Sequence, residues 1–426
     1  MMRLWLFTLV ACTAVVGCVG SDDTTALTES GADADTSDPD AHARALLGRT
    51  PIFDGHNDLP WVIRTSESAP RDVYAYDLRK PVPGHTNLDL LEAGGVGAQF
   101  WSVYIPGEYA DSGFARVQLE EIDIARRMID LYPELVLTGT ADEVEAVMAE
   151  GRIASMLGVE GGHAIENSLG ALRVYYDLGA RYMTLTHNVT LDWADAAMDA
   201  ALHDGLTGFG EEVVREMNRL GMLVDLSHVS PATMSDVLNV TEAPVIFSHS
   251  SARALTNVPR NVPDSILARM PDNGGVVMVT FVQPFVNQDA ADWDDRLTAL
   301  VAEMRERGAS DEEVRAEQRR IWTETPRPNG SVADISDHIE HVRDVSGSDH
   351  VGIGSDYDGM RAPPEMPDVS AYPVLFADLI ERGWTDEELG KLASGNILRV
   401  LREAEAVAVR LQGERERSTA VITDFE

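Results

Sequence analysis

Short apolar runs recur along the chain from residue 51 onward, each bounded by glycine, proline or polar residues. Eight of these runs predict β-strands, at 52–54, 98–104, 153–159, 182–186, 222–226, 244–247, 275–281 and 351–354. Between them, apolar residues at helical spacing predict helices at 117–132, 209–221, 230–240 and 331–345. The pattern therefore predicts an α/β protein.

Alternating strands and helices over this length favour parallel strands joined by right-handed crossovers, and eight strands suggest a closed (β/α)₈ barrel of the TIM type. A doubly wound open sheet is the alternative. The barrel is favoured because it places its chemistry at the carboxyl ends of all its strands, whereas an open sheet gathers ligands at one switch point. Polar residues follow the ends of six different runs: His56, Glu160, His187, His228, His249 and Asp356.

Two further segments complete the predicted domain, which spans residues 48–412. Residues 289–330 form a charged helical excursion between the seventh and eighth strands, either a lid or, as we favour, a surface helix pair. From Thr385 onward the chain is helical and is expected to close the barrel, and residues 413–426 are predicted to be a flexible tail.

The N-terminus carries an export signal, predicted at residues 1–17. Arg3 precedes an apolar run that is too short to span a bilayer. The sequence VVGC resembles a bacterial lipoprotein box and predicts that Cys18 is acylated and becomes the new N-terminus. Two alternatives remain open: a weaker box at LVAC, with Cys12 as the acylated residue, and ordinary signal cleavage beside an incidental cysteine. We expect a protein of the bacterial cell envelope, attached by an N-terminal lipid, or secreted if the box is not used.

Residues 18–47 are rich in small and acidic residues and lack aromatic ones, so they are predicted to be a disordered acidic tether. Both cysteines precede or begin this segment. The domain is therefore expected to have no disulfide and no thiolate ligand for a metal.

Charge narrows the range of partners. The 426 residues include 34 Lys and Arg against 71 Asp and Glu, a formal net charge of −37. Such a field repels nucleic acid and anionic lipid head groups, so nucleic-acid binding is excluded, but it says little about the substrate.

Five of the polar residues form a candidate metal site. His56 and Asp58 are two positions apart, so in an extended strand their side chains project to the same side. His228 and His249 follow neighbouring strands, and imidazoles suit zinc and related divalent metals. Glu160, which precedes two glycines, adds a carboxylate able to bridge two cations. Together they predict a two-metal hydrolase with positions left open for water.

Eight ordered blocks closely resemble the membrane dipeptidase family, also called renal dipeptidase, of zinc metallopeptidases. The resemblance covers roughly residues 51–405. The blocks are DGHNDLPW (54–61), VGAQFWSVY (96–104), GVEGGHAI (158–165), RYMTLTHN (181–188), DLSHVS (225–230), PVIFSHSSA (244–252), RNVPD (260–264) and SDYDG (355–359).

The resemblance implies a (β/α)₈ barrel, a homodimer and two Zn²⁺ per chain. His56 and Asp58 would bind one zinc and His228 and His249 the other, with Glu160 as the bridge. It also implies hydrolysis of dipeptides, including some with a D residue at the C-terminal position, and some members of the family open the β-lactam ring of carbapenems.

The resemblance further places three residues on the substrate. In the expected mechanism a hydroxide shared by the two zincs attacks the scissile carbonyl. His187 would donate to the oxyanion, Asp356 would carry a proton to the departing amine, and Arg260 would hold the substrate carboxylate. Taken singly, each residue also has an ordinary structural explanation, as an N-cap, a surface ion pair or a core hydrogen bonder.

Two departures from the family and two alternatives remain. Animal members use disulfides and a C-terminal glycolipid, whereas this chain has no late cysteine and no apolar C-terminal tail. The excursion does not align with the family pattern, so the contribution of the loop at 281–287 is unassigned.

Two alternative functions remain open. One is a barrel amidohydrolase acting on cyclic amides or β-lactams with the same metals, and the other is a non-catalytic surface lipoprotein.

Overall fold

A computed structural model describes residues 38–107 and 113–425. The predicted signal peptide, Cys18 and most of the predicted tether lie outside these residues. Within them the chain forms nine β-strands: β1 Ile52–Asn57, β2 Val96–Ser102, β3 Leu135–Leu137, β4 Ile153–Glu160, β5 Ala180–Thr184, β6 Leu223–Asp225, β7 Ile246–Phe247, β8 Val276–Val279 and β9 Val351–Ile353.

The strands form a nearly closed parallel barrel, which confirms the predicted fold class. Hydrogen-bonded neighbours run in the order β1-β2-β4-β5-β6-β7-β8-β9. The seam between β1 and β9 is closed by a parallel bridge between Asn57 and Tyr357 and by hydrogen bonds from Asp58 N to Tyr357 O (2.9 Å) and from Asp356 N to His56 O (3.2 Å). All eight predicted strands are present.

The sequence did not predict β3. Its three residues pair with Ile153–Ser155 of β4, while β5 pairs with Leu157–Glu160 of the same strand. A run of three residues is too short to show a periodicity that separates it from a loop.

Helices surround the barrel: α1 Pro39–Leu47, α2 Leu59–Thr65, α3 Leu88–Ala93, α4 Phe114–Leu131, α5 Ala141–Ala149, α6 Leu169–Asp177, α7 Gly208–Leu220, α8 Pro231–Val240, α9 Asp264–Leu267, α10 Met270–Asn273, α11 Gln283–Val286, α12 Gln288–Glu306, α13 Asp311–Glu324, α14 Val332–Ser346, α15 Tyr372–Glu381, α16 Asp386–Gly390 and α17 Asn396–Glu414. The four predicted helices correspond to α4, α7, α8 and α14. The last three begin at side-chain N-caps, provided by Thr207, Ser230 and Ser331. None of the helices in the described residues is long and apolar enough to span a membrane.

Residues 39–47 were predicted to belong to the disordered tether, but they form helix α1. Asp38 caps its N-terminus, and a proline occupies its first turn. Ala43, Leu46 and Leu47 are buried where the helix packs against α15. The domain therefore begins about ten residues before the predicted boundary, because three apolar side chains on one helical face suffice to dock a short helix once a complementary surface exists.

The C-terminal part of the domain is helical from Asp386, as predicted, and includes a π-helical turn at Lys391–Gly395. The tail is more ordered than predicted. Helix α17 continues to Glu414, and the ring of Phe425 contacts Phe209 of α7 in an edge-on arrangement at 6.3 Å. The excursion forms the helix pair α12 and α13, and most of its side chains are exposed.

The barrel strands are almost entirely buried, as expected for parallel strands covered by helices. Ionisable side chains are buried in several of these strands, and Asp54 of β1 is one of them. The carboxylate of Asp54 accepts hydrogen bonds from His56 N (2.7 Å), Ser355 N (3.1 Å), Gln99 Nε2 (3.2 Å) and Tyr372 Oη (2.5 Å). These partners come from β1, β2, the turn after β9 and α15, so Asp54 joins both sides of the seam.

We expect Asp54→Asn to destabilise the protein by roughly 2–3 kcal/mol. The NH₂ group of asparagine would replace one carboxylate oxygen and would face only hydrogen-bond donors. Urea unfolding followed by circular dichroism measures the change. Asp142→Asn is the control: that side chain is 90% exposed, and the change should stay within about 0.5 kcal/mol. Equal stability of the two variants would contradict a role for Asp54 at the seam.

Candidate metal centre

The five predicted metal ligands meet at the carboxyl end of the barrel. His56 lies in β1, Glu160 is the last residue of β4, and Asp58 immediately precedes α2. His228 and His249 follow β6 and β7 by three and two residues. Because parallel strands all end at this rim, residues spread over 194 positions of the sequence converge on one point.

Glu160 lies at the centre of the cluster. Its Oε1 is 3.1 Å from His228 Nε2 and 3.5 Å from His249 Nε2. Its Oε2 is 3.4 Å from His56 Nε2, which is also 3.4 Å from Asp58 Oδ2. Each oxygen of one carboxylate thus faces a different group of side chains, an arrangement that suits a bridge between two cations.

The three histidines present their Nε2 atoms to the interior of the cluster because each Nδ1 is engaged elsewhere. A metal-binding imidazole commonly bonds an outer partner through its second nitrogen, which orients the ring. The three outer contacts are His56 Nδ1 to Tyr182 Oη at 2.8 Å, His228 Nδ1 to Asn188 Oδ1 at 3.1 Å, and His249 Nδ1 to Ser248 Oγ at 2.8 Å.

The contact between His249 and Ser248 is part of a hydrogen-bond relay that ends at Asp225. Ser248 Oγ donates to Asp225 Oδ2 at 2.6 Å, which leaves the serine oxygen free to accept a proton from His249 Nδ1. Asp225 is fully buried at the end of β6 and also accepts from Thr184 Oγ1 and Ser248 N. This relay favours the tautomer of His249 whose Nε2 carries a lone pair.

Buried polar atoms without partners test whether these residues fit a metal. Among the described residues, His56 Nε2 and Asp58 Oδ1 find no hydrogen-bond partner although both are shielded from solvent. In addition, His228 Nε2 lies 2.9 Å from His249 Nε2, although the outer contacts assign a lone pair to each of these atoms. Such groups are costly to bury alone, and divalent cations would satisfy them. The nitrogen and oxygen donor set fits zinc.

The electrostatics agree with this fit. Burial lowers the pKa of His228 well below its ordinary value, and the nearby guanidinium of Arg260 adds to the effect. Burial and the charge of His56 lower the pKa of His249 in the same way. Burial alone would raise the pKa of Glu160, but the charge of His56 and hydrogen bonds from the histidines hold it well below its usual range. His56 differs: burial would lower its pKa, but the charges of Tyr182, Glu160 and Asp58 raise it well above its ordinary value. Neutral imidazoles and an ionised carboxylate are the forms that bind metal, so a cation at His56 would displace a proton.

Close packing at the cluster requires glycine at one position. A Cβ on Gly359 would overlap the carboxylates of Asp58 and Asp356. The turn that contains this glycine also holds Asp356 and Asp358 at positive φ, 68° and 67°. A backbone conformation that is uncommon for these residues therefore directs Asp356 toward the metal ligands.

The three predicted substrate residues line the same cavity, which has a volume of about 510 Å³. His187 Nε2 is 3.8 Å from Glu160 Oε1, and burial lowers the pKa of this histidine. A carboxylate oxygen of Asp356 lies within 4.8 Å of the potential ligand atoms of His56 and Asp58. Burial, together with the charge of Asp58, raises the pKa of Asp356 well above its ordinary value.

Arg260 is almost fully buried in the cavity wall. Its guanidinium donates to Ser250 Oγ (3.1 Å) and His249 O (3.2 Å) and lies over the ring of Phe285. Its Nε has no hydrogen-bond partner within residues 38–107 and 113–425, and burial lowers the pKa of Arg260 to about 10. A buried guanidinium with an unmet donor beside a cavity suits an anionic ligand.

The loop left unassigned by the sequence also reaches the cavity. Val282, Gln283, Pro284 and Phe285 line it, as do the aromatic side chains of Trp61 and Tyr104. Sequence reasoning also missed the partners that orient the histidines. Tyr182, Asn188, Ser248 and Asp225 lie inside the recognised blocks, but only the tertiary structure shows which imidazole each one contacts.

Comparison with known proteins gives a consistent result. The family model described as membrane dipeptidase, peptidase family M19, matches residues 40–415. Dipeptidase 3 of Mus musculus is 41% identical over 378 residues, which are 87% of this chain and 68% of that protein.

Solved structures share the fold. The probable dipeptidase PvdM from Pseudomonas aeruginosa superposes with a TM-score of 0.75 at 23% identity, covering 87% of this chain and 99% of that one. A metallopeptidase from Rhodobacter sphaeroides, liganded with a phosphinate mimic of the dipeptide L-Ala-D-Ala, gives 0.69 at 24% identity, covering 83% and 99%.

We expect Zn²⁺ to stabilise protein that has been stripped with a chelator. A ligand at one hundred times its dissociation constant adds about 2.7 kcal/mol to the free energy of unfolding, which raises Tm by a few degrees. His249→Ala should lose most of this rise in differential scanning fluorimetry. His341→Ala, which removes a partly exposed histidine bonded to Asp264, should keep it. A Tm that does not respond to Zn²⁺ would argue against the cluster as a metal site.

Proposed function

Because the chain belongs to the membrane dipeptidase family and is a metal-dependent dipeptidase, we propose that it hydrolyses free dipeptides with two zinc ions bound at the centre described above. The observation that carries this proposal is the convergence of the five proposed metal ligands and the three proposed substrate contacts at one cavity, which all of them line except the fully buried His56. Its volume of about 510 Å³ is within the range of small-ligand sites.

His56 and Asp58 would hold one zinc and His228 and His249 the other, with Glu160 between them. When bound, the pair of ions would lower the pKa of a water molecule and polarise the scissile carbonyl. Ser102 Oγ donates to Glu160 Oε2 at 3.1 Å, which keeps the carboxylate in the orientation that a bridge requires.

His187 would stabilise the negative charge that develops on the carbonyl oxygen. Since burial lowers its pKa, the ring is neutral near pH 7 and carries a single N–H donor. Tyr104 packs against it at 4.8 Å between ring centroids, which limits its rotation. A donor held in place before the reaction is more effective than one that must reorganise.

Asp356 would carry the proton to the departing amine. A group that takes up and releases protons works best when its pKa is near the working pH, and burial beside Asp58 shifts Asp356 in that direction. The side chain reaches the cavity from the opposite side of the seam to His56, to which its backbone is tied.

Arg260 would bind the free carboxylate of the substrate through its guanidinium, which lies in the cavity wall. A fixed cation in the wall of a small cavity limits the distance between the scissile bond and the C-terminus, which accounts for a preference for dipeptides. We further propose that dipeptides with a C-terminal D residue are accepted; the ligand of the Rhodobacter sphaeroides metallopeptidase supports this.

We also propose that the protein is exported, anchored through Cys18 and dimeric. The signal-like residues 1–17 and the lipoprotein-type box support the first two points. The resemblance to membrane dipeptidases supports the third.

A dipeptide panel tests the activity. We expect Gly-L-Ala and Gly-D-Ala to be cleaved, and Gly-D-Ala amide to be cleaved at least roughly tenfold more slowly because it lacks the carboxylate for Arg260. Prolonged dialysis against a chelator should abolish cleavage, and Zn²⁺ should restore it, with metal analysis giving two ions per chain. Cleavage of cyclic amides without cleavage of any dipeptide would instead favour a barrel amidohydrolase.

We expect Asp356→Asn to reduce kcat by roughly a hundredfold or more, since the amide carries no exchangeable acid proton, while two metal ions remain bound. Asp358→Asn is the matched control. It lies in the same turn at positive φ, but its side chain faces His85 N (2.7 Å), a contact that the amide oxygen can keep. A comparable loss in both variants, or loss of metal from Asp356→Asn, would contradict the proton-carrying role.

A further inference from the structure

Two arginines that the proposed mechanism does not use line the mouth of the cavity. Arg361 follows the turn that carries Asp356, and Arg327 follows helix α13 of the excursion. The Arg361 side chain is exposed, and no carboxylate of residues 38–107 or 113–425 lies within 4.0 Å of its guanidinium. Arg327 is more buried and pairs with Asp294 at 2.9 Å.

Both guanidinium groups lie over the ring of Trp322. The distances from Cζ to the ring centroid are 5.6 Å for Arg327 and 5.5 Å for Arg361. Trp322 in turn contacts Trp293 of α12 edge-on at 4.6 Å. The excursion is therefore more than a surface helix pair, because its two tryptophans hold the guanidinium groups of Arg327 and Arg361 beside the cavity.

Gln283 fixes the position of Arg327 and Arg361, the two rim arginines, along the cavity. Its Nε2 donates to Arg361 O (2.8 Å) and Ala362 O (3.0 Å), and its Oε1 accepts from Gly330 N (3.1 Å). It is two residues from Phe285, the ring against which Arg260 packs. The rim arginines are thus attached to the same loop as the wall of the expected carboxylate site.

The overall charge of the protein makes this placement informative. In a chain with a net charge of −37, arginines on the surface have many acidic neighbours available, and most described ones use them. A guanidinium left without such a neighbour at the mouth of a site presents its donors to whatever enters.

We propose that Arg361, supported by Arg327, binds an acidic side chain on the C-terminal residue of the dipeptide. This inference rests on the proposed function and names its preferred substrate class, dipeptides that end in aspartate or glutamate. Arg260 engages the main-chain carboxylate, and the rim engages the second carboxylate. The preference is electrostatic and is therefore weakened by salt.

The test compares substrates that differ only in charge. For Gly-Asp against Gly-Asn, with the C-terminal residue in both L and D forms, we expect the wild-type kcat/KM to favour the acid about threefold to fivefold, as for an ion pair at a partly exposed site. Arg361→Gln should bring this ratio close to one, chiefly through KM. The reversed pair, Asp-Gly against Asn-Gly, should show no such change.

Arg343→Gln is the matched control. Arg343 also lies over a tryptophan, Trp384, at 4.5 Å, but on α14 and away from the cavity. Arg343→Gln removes one positive charge, as Arg361→Gln does, but at a site away from the cavity. The Gly-Asp to Gly-Asn ratio of kcat/KM should therefore stay at its wild-type value. Tm measurements on both variants establish that they fold.

Two outcomes would overturn the inference in distinguishable ways. In the first, wild-type protein cleaves dipeptides, but Arg361→Gln leaves the Gly-Asp to Gly-Asn ratio unchanged or Arg343→Gln lowers it equally. The proposed preference for acidic C-terminal residues is then wrong, while the dipeptidase activity stands. If zinc-loaded wild-type protein cleaves no dipeptide of the panel, the proposed function fails and this inference fails with it.

Discussion

The carboxylate of Glu160 faces three imidazoles inside the end of the barrel, and the rest of the site depends on how this buried charge is compensated. Burying an ionised group without partners is prohibitively costly, and two of these imidazoles, His228 and His249, are themselves shifted toward the neutral form. Divalent cations bound by these ligands would resolve the conflict. The barrel contributes by bringing strand ends from distant parts of the sequence within reach of one carboxylate.

The groups around the ligands make the arrangement rigid. Ser248 and Asp225 orient His249, Asn188 orients His228, and Tyr182 orients His56. Asp54 links this layer to the fold, since it binds the backbone of His56 and of Ser355 on either side of the seam. Closure of the barrel and placement of the site are therefore served by the same hydrogen bonds.

The mouth of the cavity is organised by different forces. Aromatic rings and cations predominate there: Phe285 supports Arg260, while Trp322 supports Arg327 and Arg361. The excursion was expected to be a surface helix pair. Its helices are indeed largely exposed, but the segment that follows them supplies part of the cavity wall. Exposure of a helix does not determine whether the residues at its end take part in a site.

The sequence by itself determined the eight barrel strands and the candidate ligands, because parallel strands are short apolar runs and the barrel places polar chemistry directly after them. It did not reveal β3, the docking of α1, the bridge from Asn57 to Tyr357, or the role of Gln283. Each of these depends on a partner far away in the chain or on a segment too short to have a period. Local pattern encodes the elements and their chemistry, whereas only the tertiary structure decides which distant groups meet, since those contacts exist only after the barrel has closed.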